Sequence, residues 1–246
     1  MARVLIIGAT SAIAAELCRR YAERGDALYL IGRNEAKLDA LVASIPASVV
    51  GTQVADLDET DRNAERVATA LSVLGGADLA VLAHGLLGSQ VRTETDLEHA
   101  EQTIRTNFSS MVSLLIPLAN AFAESGRGGI AVLSSVAGER GRPRNYTYGA
   151  AKGALTIYLQ GLRSRLYRDG VAVHTIKLGP VDTPMTVDHP KNLLFANVDD
   201  VAGSIVAALD GPGGEHYVPW YWAPIMGVVR RLPEAVFQRL GFLSGR

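Results

Sequence analysis

Cysteine is almost missing from this sequence. Cys18 is the only one in 246 residues, which excludes an internal disulfide and any metal site built from several thiolates. Histidine is sparse too: His84, His99, His174, His189 and His216 fall at no HxxxH-type spacing, and each is read as structural or solvated. Neither sign of charge dominates. Lys and Arg number 24 against 25 Asp and Glu, a net charge of -1, so no basic field argues for nucleic acid. No apolar run reaches the ~20 residues that cross a bilayer. Arg3, Val4–Ile7 and the Ala12-Ile13-Ala14 triplet imitate a secretory signal, but the apolar core is too short and Glu16, Arg19 and Arg20 follow at once. Internal repeats and low-complexity linkers are lacking as well. The length therefore suits one domain over residues 1–246, soluble or peripheral to a membrane, rather than two.

What is present is an alternation of short apolar runs with amphipathic stretches. Strands are predicted at 4–7, 27–31, 49–54, 79–83, 130–133 and 171–178. Helices are predicted at 12–24, 35–45, 60–74, 148–168 and 199–210, with one long or broken helical region over 96–124 around Pro117. Continuous apolar strands, each followed by a crossover helix, mean a parallel sheet covered on both faces, an α/β doubly wound fold. Such a sheet takes its ligand beyond the C-terminal ends of its strands. The first strand-to-helix turn, Gly8 to Ala14, offers backbone N–H groups and a helix dipole to a pyrophosphate, although it holds a single glycine. Residues 185–198, with Pro190 and mixed polarity, are expected to form a mobile substrate lid.

One stretch carries proton chemistry. Tyr148 and Lys152 are four apart, so on a helix they share a face, where an ammonium favours phenolate and pulls the tyrosine down from its ordinary ~10. Small residues separate them and leave room for a flat ligand. Ser135, thirteen positions upstream, sits at the exit of the 130–133 strand. The plain alternative is a solvated Tyr/Lys pair and two serines that simply end a strand.

Gly8-x-x-x-Ala12-Ile13-Ala14, Asn107, Ser135, Tyr148-x-x-x-Lys152 and Gly179-Pro180-Val181-Asp182-Thr183 follow the order and spacing of the short-chain dehydrogenase/reductase family, which the chain resembles over about residues 3–219. The resemblance implies a Rossmann-like fold and an oxidoreductase acting on CH–OH groups. It implies that Tyr148 is the general acid/base, Ser135 holds the carbonyl oxygen, Lys152 lowers the tyrosine pKa and binds the nicotinamide ribose, and Asn107 holds a relay water. It further implies that Gly8, Thr10, Ser11, Ala12 and Ile13 cradle the pyrophosphate, Asp56 and Leu57 flank the adenine, Ala83 and Gly85 line the cofactor, and Val181 with Thr183 holds the carboxamide. Several positions depart from the family's pattern. Ile7 replaces a threonine, Ala12 and Ala14 replace glycines whose added methyls would crowd the phosphates, Leu178 replaces a proline, and Leu82-Ala83-His84-Gly85 replaces Asn-Asn-Ala-Gly. His84 either contacts cofactor or satisfies a local carbonyl. At the end of the second strand, Gly32-Arg33-Asn34 lacks the acid that would select NAD, and Arg33 can pair with a 2'-phosphate, so NADP(H) is the expected cofactor.

Two further features bear on substrate. Glu139-Arg140-Gly141-Arg142-Pro143-Arg144 places three arginines at alternate positions between Ser135 and Tyr148, either binding a phosphate or solvated and paired with Glu139. Residues 217–246 form an aromatic, basic helical tail holding both tryptophans, Trp220 and Trp222. It suits a membrane interface, a lid over an apolar substrate, or a helix packed on the domain or a partner subunit. Gly85-Leu86-Leu87-Gly88, Ala137-Gly138-Glu139-Arg140, Trp222-Ala223-Pro224 and Arg230-Arg231-Leu232-Pro233 look like the branch that reduces the keto intermediate of decaprenylphosphoryl-ribose epimerisation. That likeness implies a polyprenyl-phosphate keto-sugar substrate and a cytoplasmic chain peripheral on the inner face of the membrane, with a homodimer or homotetramer expected. A reductase of a soluble ketone, steroid or acyl substrate and a non-catalytic NADP-binding regulator are the alternatives.

Overall fold

A computed structural model describes residues 1–187 and 191–241. His189, Pro190 and residues 242–246 of the tail lie outside the described residues. Seven strands form one parallel sheet: β1 (Arg3–Ile7), β2 (Ala27–Gly32), β3 (Val49–Val54), β4 (Leu79–Leu82), β5 (Gly129–Ser135), β6 (Ala172–Leu178) and β7 (Gly214–Val218), in the order β3-β2-β1-β4-β5-β6-β7. The helices between them are α1 (Ala12–Glu23), α2 (Glu35–Ser44), α3 (Asn63–Leu74), α4 (Gln90–Thr93), α5 (Leu97–Ile104), α6 (Ser110–Ser125), α7 (Tyr146–Leu166), α8 (Val198–Leu209), α9 (Trp222–Arg231) and α10 (Glu234–Phe237).

The strand apolar runs are continuous because both faces are covered. Leu5, Ile7, Ile130 and Val132 point toward α3, α6 and α7, whereas Val4, Ile6, Ala131 and Leu133 point toward α1, α2 and α8. The chain passes from β1 outward to β3, then crosses to β4 on the other side of β1. This reversal opens a crevice above Ile7 and Leu82, which pair in register. Helix starts are set by side chains that accept orphan N–H groups, among them Asn34 from Lys37 N at 2.9 Å and Asn197 from Asp200 N at 2.8 Å.

Two elements differ from the sequence reading. Gly214–Val218 is a strand, so Tyr217 and Val218 belong to the sheet edge and not to a tail. Its polar Glu215 and His216 hide the apolar signal. The helical region over 96–124 is interrupted by a π-turn at Arg105–Ser109, while Pro117 lies inside an unbroken α6. Leu114, Leu115, Leu118 and Ala119 hold that helix against the sheet around the proline. In the 185–198 stretch, Pro184–Thr186 forms a short 3-10 turn, and Val181 bridges Ala196 before α8 begins at Val198.

Candidate active site

The crevice is built from strand ends. After β1, Gly8 adopts φ 81, and its N–H and that of Ala9 both donate to Ile31 O, at 2.8 and 2.9 Å. Only glycine suits this conformation, and a Cβ there would also lie 2.6 Å from His84 N. Ser11 caps α1 by accepting from Ala14 N at 3.3 Å. The Ala12 and Ile13 N–H groups precede the helix's own ladder and face outward with its dipole. The Ala14 methyl is packed in the core against the sheet, so it does not crowd a phosphate. The turn thus has the N–H donors that a pyrophosphate needs, with the half-buried Ala12 methyl still beside them.

Around it, the other cofactor-site candidates are held by their own bonds. A Cβ at Gly32 would lie 2.9 Å from the Thr10 Cγ2, so any side chain at the end of β2 would require Thr10 to move. Arg33, next along, is exposed, and the side-chain oxygen of Asn34 is committed to capping α2. Asp56 and Leu57 sit in a loop fixed by buried Arg66, which donates to Asp56 O at 2.7 Å and pairs with Glu59. Ala83 N donates to Ile7 O at 2.8 Å. Val181 is buried, and the Thr183 hydroxyl accepts from the Thr186 N–H in a capping box.

His84 meets a hydroxyl where a carbonyl was one of the two expectations. Ser110 Oγ donates to Thr106 O at 2.8 Å, so His84 Nε2 must carry the proton in its 2.8 Å bond to Ser110 Oγ. Burial and the charge of Lys152 push the imidazole down to about 3, keeping it neutral.

The candidate reacting groups converge from β5, the π-turn ahead of α6, and α7. Ser135 ends β5, where its Oγ accepts from Ala137 N at 3.1 Å and donates to Leu178 O at 3.4 Å. Tyr148 lies in the first turn of α7, where the Ser135 side chain acts to lower the pKa of its phenol. Lys152 lies one turn further, its Nζ 5.8 Å from the Tyr148 ring centroid and donating to Leu133 O at 3.0 Å. A Cβ on Gly85 would lie 3.6 Å from that Nζ and 3.0 Å from Asn107 Oδ1. Asn107 is buried in the π-turn, and its Nδ2 donates to Leu86 O at 2.6 Å and Thr103 O at 2.8 Å. Its side chain is therefore spent on positioning loop 85–87, which leaves the main chain of the π-turn to hold any water.

The expected lowering of the Tyr148 pKa is not found. Burial pushes the phenol up to about 12, offset only in part by Ser135, and pushes the Lys152 ammonium down to about 8. Desolvation of both groups outweighs their attraction, because Lys152 directs its proton at the Leu133 carbonyl.

Glycines missed by the sequence reading bring Ser135 and Tyr148 together. A Cβ on Gly138 would lie 2.6 Å from Gly153 N, one on Gly149 2.7 Å from Ala137 O, and one on Gly153 2.8 Å from Gly138 O. Backbone touches backbone there. The signal was a glycine at each of these positions flanking the reactive residues.

The loop between Ser135 and Tyr148 is also gripped from outside. Arg140 donates to Leu232 O at 3.0 Å, pairs with Glu234 at 2.6 Å and lies over the Phe237 ring at 4.5 Å. Glu139, 4% exposed, accepts from Lys177 and from the Tyr217 hydroxyl, each at 2.5 Å. Of the three loop arginines, Arg140 is thus taken up by the C-terminal helices, Arg144 is exposed, and Arg142 is partly buried. Cys18 is buried, which pushes its thiol up to about 12 and leaves it inert. No helix of the described residues is long and apolar enough to cross a membrane.

A family model described as short chain dehydrogenase matches residues 2–193. The chain is 36% identical over 242 residues to an uncharacterized oxidoreductase of Mycobacterium tuberculosis, covering 97% of each. A short chain dehydrogenase from Burkholderia cenocepacia, solved in complex with NADP, has a similar fold with a TM-score of 0.83 at 22% identity, covering 97% of both chains. An actinorhodin polyketide ketoreductase variant solved with NADPH has a TM-score of 0.78 at 22% identity, covering 88% of this chain and 95% of its own.

Proposed function

The chain belongs to the short-chain dehydrogenase family, and from that premise we propose that it reduces a ketone to a secondary alcohol with NADPH. The observation that carries the reading is the meeting of Ser135, Tyr148 and Lys152 at the C-terminal edge of the sheet, with the serine side chain acting on the phenol and the ammonium 5.8 Å from its ring. Bound NADPH supplies the hydride. Ser135 orients the ketone oxygen, and Tyr148, fully protonated at neutral pH, gives it a proton. Lys152 keeps a positive charge beside the phenolate that results, and the Asn107 π-turn holds open the route by which the proton is replaced. Gly8 to Ile13 bind the pyrophosphate, Asp56 and Leu57 the adenine, and Val181 and Thr183 the carboxamide.

The preference for NADPH rests on Arg33 and on the side-chain-free Gly32 beside Thr10. A charge-assisted contact is worth about 1.5–3 kcal/mol, so Arg33→Asp is expected to weaken NADPH binding by roughly 10- to 100-fold while sparing NADH. Titrating both dinucleotides against protein fluorescence, alongside NADPH oxidation with a panel of ketones, tests this. Equal affinities for the two in the parent protein would refute the cofactor assignment, and the absence of any ketone-dependent oxidation would refute the reductase.

A lipid-linked keto-sugar as the substrate draws support from the surface beside the site. Leu193 is wholly exposed, at 101%, and Trp220 is 77% exposed beside Tyr221, whose hydroxyl donates to Leu194 O, while Val228, Arg230 and Arg231 are exposed on α9. Apolar and basic groups together suit an anionic membrane surface. Co-sedimentation with phosphatidylglycerol vesicles is expected, reduced several-fold by Trp220→Ser with Leu193→Ser. A chain that stays in the supernatant would instead favour a soluble carbonyl substrate and leave α9 for contact between subunits.

A further inference from the structure

Two buried donors without a partner belong to α9 and to the loop that packs on it. Arg142 Nε and Trp222 Nε1 are both donors, both inaccessible to solvent and both unpaired. Leaving such groups unmatched is unfavourable, so a pair of them beside a reactive centre asks for an acceptor.

Trp222 and Met226 are one turn apart on the same buried face of α9, packed on Val136 next to Ser135. The Trp222 side chain, 5% exposed, brings its indole nitrogen against Gly179, where any side chain would collide with it. Gly179 follows Leu178, whose carbonyl accepts from the Ser135 hydroxyl. The indole nitrogen therefore packs against the residue that follows the acceptor of the Ser135 hydroxyl. Arg142 enters from the other side. Its Nη2 is 3.5 Å from Met226 Sδ, and its carbonyl accepts from Asn145 N at 3.1 Å in the turn that opens α7, just ahead of Tyr148.

The charge on Arg142 is left open. Among the described residues its guanidinium has a thioether as its hydrogen-bonding partner and no carboxylate within salt-bridge distance. Glu139 is engaged by Lys177 and Tyr217 through one oxygen, while its other oxygen, buried and without a hydrogen-bond partner, is 3.9 Å from Arg230 Nε. Burial pushes the Arg142 pKa down, and Arg144 adds to this, with Glu139 opposing. A planar cation lying on Met226, one turn of α9 from Trp222 and its unpaired N–H, suits an anion with two oxygens.

We infer that Arg142 and Trp222 form a substrate subsite for a carboxylate or phosphate carried close to the ketone. This rests on the ketoreductase reading and narrows it to anionic keto compounds. Arg142 supplies charge and direction, Trp222 supplies a second donor, and Met226 and Val136 keep the surroundings dry, which strengthens both contacts.

The sequence holds only two tryptophans, so a Trp220→Phe background leaves Trp222 emission as a report of binding without turnover. Two matched pairs serve as probes: benzoylformate with its methyl ester, and dihydroxyacetone phosphate with dihydroxyacetone. At least one anion is expected to perturb the emission at about 10- to 100-fold lower concentration than its neutral partner, the size of one charge-assisted contact. The carboxylate and phosphate arms distinguish the two sources. Arg142→Gln should remove that advantage, and Arg142→Lys, which keeps the charge without the fork, should retain part of it, with circular dichroism establishing that each variant is folded. Anions and neutral partners acting at equal concentration, no response to either anion, or an anionic advantage that survives Arg142→Gln overturns the subsite. The enzyme reading fails on a different result, the absence of Tyr148-dependent NADPH oxidation with any ketone, charged or neutral.

Discussion

Tyr148→Phe is expected to lower ketone reduction roughly 10³-fold, within the 10²- to 10⁴-fold range of a lost general acid, while NADPH affinity stays within a few-fold of the parent. The change removes one oxygen from a side chain already fixed in the first turn of α7, so packing is preserved. The phenol carries its proton up to about 12, and the ammonium beside it titrates at about 8. Across the working range the acid is thus always loaded, and the charge that stabilises its conjugate base is what pH removes. The kcat/KM for reduction is expected to be level at low pH and to fall above about 8, as Lys152 loses its proton. In Lys152→Arg the guanidinium does not titrate there, and the alkaline limb should move beyond reach. Stopped-flow turnover of the tyrosine variant and pH profiles of the lysine variant check both. A Tyr148→Phe protein within tenfold of the parent rate, or a limb indifferent to Lys152→Arg, would remove these residues from the chemistry.

Gly138→Ala should be the most damaging small substitution away from the reacting groups. Its Cβ would press at 2.6 Å on Gly153 N and at 2.7 Å on the Lys152 carbonyl carbon, which is backbone and cannot rotate aside. Overpacking of this kind costs about 1–3 kcal/mol, or roughly 2–4 °C of Tm per kcal/mol for a chain of this size. The larger effect falls on rate. To admit the methyl, the Ser135 loop and α7 must separate, and a ~1 Å misplacement of reacting groups costs about 10²-fold. Gly141→Ala, in the same loop with nothing within 4 Å of its Cβ, provides the control and should be neutral in both respects. Thermal melts and kcat for the two variants, measured side by side, test whether backbone contact between loop and helix sets the geometry.

Strands and catalytic spacing were legible because each is written locally. Val4–Ile7 and Ala27–Ile31 are unbroken apolar runs, and Tyr148 and Lys152 announce a shared helix face by being four apart. β7 was not legible, since an edge strand need only half-satisfy the apolar rule and Glu215 is drawn to Lys177. The π-turn at Asn107 could not be read either. Pro117 is the conspicuous breaker, yet tertiary packing keeps α6 whole around it, and the real interruption comes where Asn107 bonds loop 85–87. The protonation of the site was misjudged for a related reason: the spacing reports which groups are neighbours, while burial decides which form each prefers. The arginine loop reads as three equivalent cations, and only the fold separates one holding the C-terminal helices from one exposed and one turned inward.

The grip of Arg140 on Leu232 and Glu234 ties the loop beside the reacting residues to partners 92 and 94 positions further along the chain. Contacts of such long separation form only after the entropy of closing the intervening segment has been met, which places them late in folding. A nascent polypeptide that has already emerged from the ribosome as far as Lys152 therefore owns every group the chemistry calls for and still lacks the wall that encloses them. Competence arrives with the segment that carries Leu232 and Glu234, whereas the dinucleotide crevice begins on β1, β2 and β4 and gains Val181 and Thr183 after β6.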